Sequence, residues 1–187
     1  MLSIKALKLT DENYYLDPAE DYYFGGLEPP GKWIGGGCKH LGLSGTVTRD
    51  AFRRLFRGYH PLGGGSPEDP PEQRIALVQN AGKDDRQPGW DLTFSAPKSV
   101  SVIWSQASPE MRERIEELHH EAIKSTFDFV EENFTYSRTG KAGRGDPVKV
   151  KLAVSVFENG TSRAVEPLLH SHAIAHNVGV DASDPEN

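Results

Sequence analysis

Cysteine is almost absent. Cys38 stands alone among 187 residues, which excludes an internal disulfide framework and a cysteine-rich zinc module. Excess positive charge is missing too: 21 Lys and Arg against 27 Asp and Glu leave a formal net charge of −6. A uniformly basic nucleic-acid wrapper is thereby ruled out, although a local basic patch is not. No run approaches the roughly 18–20 apolar residues of a membrane span, and the opening MLSIKALKLTDENYY lacks the apolar core of a signal peptide. What is present, 36% hydrophobic and 9% aromatic residues, is too apolar for a disordered chain. These features predict a soluble protein of a reducing compartment, forming one medium domain or part of a larger one.

The pattern then predicts elements. MLSIKALKL reads as a first strand, and Thr10 or Asp11 can cap a short helix limited by Pro18. Glycines crowd residues 24–47. Thr48 opens the helix RDAFRRLF, with Phe52, Leu55 and Phe56 on one face and Gly58 as its stop. WDLTFS alternates strictly, sending Trp90, Leu92 and Phe94 to the core and Asp91, Thr93 and Ser95 to a solvated or functional face. A helix over APKSVSVIWSQ follows, with Val100, Ile103 and Trp104 sharing a face. Ser108-Pro109 starts a longer helix whose stripe runs from Met111 through Ile115, Leu118, Ala122 and Phe127 to Val130. VKVKLAVSVF (148–157) and LLHSHAIAHNVGV (168–180) read as strands, with Asn159-Gly160 between them as a hairpin signal. Strands interleaved with helices predict an α+β fold, one antiparallel or mixed sheet with helices on one face. The turn-like ending VDASDPEN closes nothing, so the chain reads as cut.

Three constellations bear on chemistry. His170 and His172, two apart on a strand, present both imidazoles to one face, where a divalent metal could take both. The same pattern fits a polar sheet face with two unrelated histidines. His176 shares that face but lies ~13 Å beyond His172 at ~3.3 Å per residue, too far for one ion. Four of the six tyrosines fall in two pairs, Tyr14-Tyr15 and Tyr22-Tyr23. A phenol oxygen can attack phosphorus and form an aryl phosphate that reseals readily, but needs help to ionise; tyrosines packing a helix against the sheet fit equally. Asp91, paired to an imidazole N–H, would orient a metal-binding histidine; alone it is an exposed strand carboxylate. Weaker signals are His119-His120, expected to be solvated, and a basic stretch of Arg138, Lys141, Arg144, Lys149 and Lys151 that could track a phosphate backbone or form a solvated tip.

Five segments occur together and in order: YYLDPAEDYY, W-x-G-G-G-C-K-H-L-G-L-S-G-T-V, FRRLFRG, GWDLTFSAPKSVS and TSRAVEPLLHSHAIAHN. With them the chain resembles the N-terminal domain of MobF-class conjugative relaxases, the TrwC and TraI type, from about Leu2 to Asn177. The resemblance implies an HUH-endonuclease fold, a central antiparallel β-sheet flanked by helices, here cut short at its C-terminus. Residues 1–187 would be the N-terminal part of a relaxase domain, with no helicase domain following. The implied activity is nicking of one DNA strand at a plasmid origin of transfer through a 5′-phosphotyrosine link, then strand transfer. Tyr14 falls at the first nucleophile position and Tyr22 at the second, with Tyr15 and Tyr23 as their neighbours. His170 and His172 match two members of a metal-binding histidine triad, and Asp91 the acid that assists it. Lys98, Arg138, Lys141 and Arg144 are the expected DNA contacts. The implied partners are single-stranded DNA, a DNA hairpin beside the nick, relaxosome accessory proteins and a type IV secretion coupling protein, in the bacterial cytoplasm.

One departure matters. Aligning FENGTSR with the family block puts Asn159 where the third histidine is expected. An amide oxygen suits a hard ion, so Mg²⁺ or Mn²⁺ is expected rather than Zn²⁺, with Glu158 as a substitute ligand. The competing reading makes Asn159-Gly160 a mere turn and the metal site defective. Two further alternatives stand beside the relaxase: an impaired remnant that only binds origin DNA, and a rolling-circle replication initiator of the same chemistry. A cupin-type oxygenase leaves the tyrosines and DLTFSAPKS without a role.

Overall fold

A computed structural model of the chain describes residues 1–12, 29–63, 70, 73–138, 144–162, 164 and 166–181. Strand β1 spans Leu2–Ala6, and a 3₁₀ turn follows at Leu9–Asp11. Then come β2 (Lys32–Ile34), α1 (Gly36–His40) and α2 (Arg49–Phe56). Strand β3 spans Gly89–Ser95, α3 Lys98–Gln106 and α4 Pro109–Asn133. A short β4 (Tyr136–Arg138) precedes two long strands, β5 (Pro147–Thr161) and β6 (Pro167–Asp181). No helix among the described residues is long and apolar enough to cross a membrane.

All the pairings are antiparallel, in the order β1-β3-β6-β5-β2, with β4 added to β5. The helix ends follow their local chemistry. The Thr48 hydroxyl accepts from Ala51 N, and Gly58, at φ +87°, takes the left-handed position after α2. Ser108 caps α4 by accepting from Met111 N, with Pro109 in the first turn. The α-ammonium of Met1 lies 2.6 Å from the Ser95 carbonyl oxygen, tying the chain start to the end of β3.

Helices cover both sheet faces, not one. Under α1 and α2, Phe52, Leu55 and Phe56 pack with Trp33 on Ala153, Phe157, Ile174 and Val178. Under α4, Ile123 and Phe127 pack on Val154, Val156, Ala173 and Ala175. Burying each of these phenyl rings contributes roughly 1.5–3 kcal/mol, so both layers hold the sheet. The residues that hid this are Ala153 and Ser155, which alternate with valines and read as solvent-facing, yet both are fully buried. A small side chain carries little apolar signal of its own.

The helical stripes also shift. In α3 the inward residues are Ser101, fully buried, and Trp104, whereas Ile103 is exposed. Ser101 Oγ accepts from Leu169 N at 3.1 Å. In α4 the buried seam is Ile123, Phe127 and Glu131, while Met111 and Leu118 stay exposed. Leu118 and Ile115 line a 520 Å³ groove that also borders Leu2, Phe94 and Leu169. Trp90, expected in the core, is 37% exposed at the mouth of another groove.

Candidate metal centre

Strand periodicity builds the site. On β6, His170 and His172 point to the same face as Ile174 and His176. The neighbouring strands supply partners in register: Thr93 and Phe157 lie opposite His172, and Ser95 and Asn159 opposite His170. The two imidazole centroids are 5.4 Å apart.

Hydrogen bonds fix the tautomers. His172 Nδ1 sits 2.8 Å from Asp91 Oδ2, and the Thr93 hydroxyl lies 3.4 Å from both Asp91 and His172 Nδ1. Asp91 is only 5% exposed, so it is a buried orienting carboxylate, not a solvated one. His170 Nδ1 is 2.9 Å from the Leu168 carbonyl oxygen. A carboxylate and a carbonyl can only accept, so Nδ1 is the donor in both rings, and the neutral form of either ring carries its lone pair on Nε2. Burial pushes the His170 pKa below the ordinary imidazole value, which keeps that ring neutral and able to ligate.

Asn159 and Gly160 are strand residues. β5 continues to Thr161, Asn159 pairs directly with His170, and a register shift falls between Asn159 and Thr161. The expected turn is not at Asn159-Gly160; the glycine there accommodates the Trp104 ring, which a Cβ would approach within 2.5 Å. Asn159 is 2% exposed and its Nδ2 has no hydrogen-bond partner. That unspent donor calls for a hydrogen-bond acceptor; only the amide oxygen of Asn159 has a lone pair that could ligate a cation. Glu158 faces the other way, its Oε2 2.8 Å from His120 Nε2 on α4, and so is no substitute ligand on this face. His176 is fully buried among Trp33, Phe52 and Phe56, with Ser155 Oγ 3.1 Å from its Nε2. Its pKa is lowered to about 3 by burial and by the Arg86 guanidinium.

Two imidazole lone pairs and a buried amide on one face fit a divalent ion. Among the described residues no group of three His, Cys, Asp or Glu could hold one, and Asn159 would add a donor of another type.

The other expected site residues are scattered. Tyr14, Tyr15, Tyr22, Tyr23 and Lys141 lie outside the described residues. Lys98 Nζ is 2.7 Å from Glu166 Oε2 and 3.2 Å from the Pro167 carbonyl oxygen, so its charge is already matched. Arg138 and Arg144 are exposed near Pro147, at the far end of β5 from Asn159, which at ~3.3 Å per residue is ~40 Å away. Two features were not anticipated. His119 and His120 are not solvated but partnered to the sheet. Glu12, 6% exposed, takes a two-pronged ion pair from Arg57 of α2 at 3.0 and 2.6 Å; no local pattern signals a contact across 45 residues.

Comparison with known proteins places this geometry. The chain is 34% identical over 167 residues to the multifunctional conjugation protein TraI of Escherichia coli K12, covering 89% of this chain and 9% of that protein. Conjugative relaxase TrwC, solved metal-bound in complex with oriT DNA, matches with a TM-score of 0.68 and 30% identity, over 98% of this chain and 59% of that one. TrwC complexed with a 27-mer DNA comprising the recognition hairpin and the cleavage site matches with a TM-score of 0.69 and 26% identity, over 98% of this chain and 57% of that one. The chain thus spans about a tenth of its curated relatives and under three fifths of the solved relaxase. The TrwC relaxase family model matches residues 9–186, and with it the chain belongs to the TrwC relaxase family.

Proposed function

We propose that this chain is the strand-transferring part of a conjugative relaxase, cutting one DNA strand at an origin of transfer. The observation that carries it is the shared face of β6 on which His170 and His172 stand, Asn159 directly opposite His170, with the Nδ1 of each ring against Leu168 O or Asp91 Oδ2. His170 and His172, with the Asn159 amide oxygen as third donor, would hold a divalent ion, Mg²⁺ or Mn²⁺ before Zn²⁺. Such an ion supplies Lewis-acid polarisation of a phosphodiester when bound.

The chain's own residues supply the rest. Tyr14 is the nucleophile: its phenol gives up a proton, its oxygen bonds to phosphorus, and the P–O3′ bond breaks to leave a 3′-hydroxyl. The 5′-phosphotyrosine conserves the ester for rejoining, and Tyr22 serves a second transfer. β1 and β2, which flank the tyrosines in sequence, are opposite edges of the sheet, with β6 and its histidines between them. Glu12, two residues before Tyr14, is tied by Arg57 to α2, the helix on the metal face. Single-stranded DNA is the substrate. Arg138 and Arg144, distant from the histidines, suit the duplex part of a hairpin, held by charge, with Lys141 between them in sequence.

Incubation with a labelled, randomised single-stranded DNA library in Mn²⁺, followed by a denaturing gel, tests this. Wild type should form a covalent adduct, and Tyr14→Phe should lose it while retaining DNA binding. Adducts that persist in Tyr14→Phe overturn the assignment of the nucleophile. Asn159 favours a second reading, a remnant that grips origin DNA without cutting; DNA binding with no adduct in either Mn²⁺ or EDTA would favour it.

A further inference from the structure

The geometry points to His119 and His120 of α4 as positioning residues that hold the metal-bearing strand ends in place from behind. The inference rests on the metal reading above. On the face away from α1 and α2, the cross-strand pair Glu158–Ser171 sits between the pairs Phe157–His172 and Asn159–His170. All three proposed ligands therefore flank this one rung, on the opposite side of the sheet. Both its side chains are buried, Ser171 completely and Glu158 to 6% exposure.

Consecutive residues of α4 grip that rung. His119 Nε2 lies at hydrogen-bond distance, 3.1 Å, from Ser171 Oγ, and His120 Nε2 makes an ion-pair contact at 2.8 Å with Glu158 Oε2, outside hydrogen-bond geometry. Burial holds the His119 pKa below its ordinary value, which favours the neutral ring against the serine. Just beyond the rung β5 loses regular register, between Asn159 and Thr161. A strand end beside such an irregularity has few ladder bonds to set its angle, so contacts from behind decide where Asn159 and His170 point. Helix α4 is anchored independently, through Ile123, Phe127 and the Glu131 carboxylate, which accepts from Gly36 N and Leu152 N at 2.8 and 2.9 Å. It can serve as a fixed reference for the rung. Neither histidine reaches the metal face; each acts through its partner's backbone.

The test is Mn²⁺ calorimetry on wild type, His120→Leu, His120→Gln, Glu158→Gln and, as a reference for loss, His172→Ala. Unfolding curves are recorded for each, and the visible spectrum of the Co²⁺ form reports ligand geometry. His120→Leu is expected to weaken Mn²⁺ binding about tenfold, the lower end for residues that orient ligands, and to shift the Co²⁺ bands. His120→Gln, which keeps an N–H at similar reach, should restore both towards wild type. Should His120→Leu not fold, Glu158→Gln carries the test and must weaken binding in the same direction. If His120→Leu lowers stability but leaves affinity and spectrum unchanged, the residue is merely structural and the inference is overturned. Wild type binding no Mn²⁺ defeats the metal reading and the inference together, whereas wild type binding and unaltered variants defeat only the inference.

Discussion

Replacing Asp91 by Asn changes one oxygen for one nitrogen 2.8 Å from His172 Nδ1, and its consequences can be worked through. The carboxylate now accepts the Nδ1 proton and so leaves the lone pair on Nε2. The amide has two choices in the same buried place. If its oxygen faces the ring, the tautomer survives but the acceptor has lost its charge, and the imidazole becomes a poorer base. If its NH₂ faces the ring, the proton moves to Nε2 and His172 can no longer ligate. Either way Mn²⁺ affinity should fall about 10–100-fold, which at about 1.4 kcal/mol per tenfold is about 1.4–2.8 kcal/mol. Calorimetry measures the affinity, and long-range ¹H–¹⁵N spectra of the histidine rings distinguish the two routes. An affinity within a factor of about two of wild type, with the proton still on Nδ1, would refute the claim that Asp91 acts by orienting and charging this ring.

Two further outcomes follow from the same geometry. Asn159→His places a third imidazole opposite His170, and Zn²⁺ binding should tighten about tenfold or more; calorimetry showing no gain would mean that position 159 does not touch the ion. His176 binds no proton in the native state until about pH 3, whereas the unfolded chain binds one below about pH 6.5. Stability from this group is therefore complete above about pH 6.5 and falls with acid by up to about 1.4 kcal/mol per unit. Urea midpoints at pH 7.5 and 5 should separate in wild type and lie closer together in His176→Gln, the remainder coming from His119 and His170; equal separations in the two proteins would reject burial of a neutral ring as the cause.

The parts of the site that strand alternation controls were legible in the sequence. His170 and His172 share a face and Asp91 lies on its own strand's corresponding side, because a period of two needs no tertiary information. Asn159-Gly160 was open to a turn reading because dipeptide chemistry is local, while the Trp104 ring that excludes a Cβ at Gly160 comes from 56 residues away. Ala153 and Ser155 concealed the second covered face, being small enough to suit core or solvent. His119 and His120 lie in the helix PEMRERIEELHHEAIKSTFDFVEEN, whose charge suggests water; only the sheet's placement gives them partners. Trp90 followed the alternation of β3 but lies where α4 leaves the sheet uncovered. Side-chain period carries direction, and coverage is decided by what packs on top.

The tie between Met1 and Ser95 has a practical consequence for anyone handling the molecule. Ser95 pairs with His170 on its other side, so a purification handle fused ahead of Met1 would replace this charged amine with an amide and start its own polypeptide one strand away from an imidazole. A polyhistidine handle there would deliver competing nitrogen donors to the very ion under study, and false metal stoichiometries would result. Fusions intended for binding measurements belong at another place on the chain.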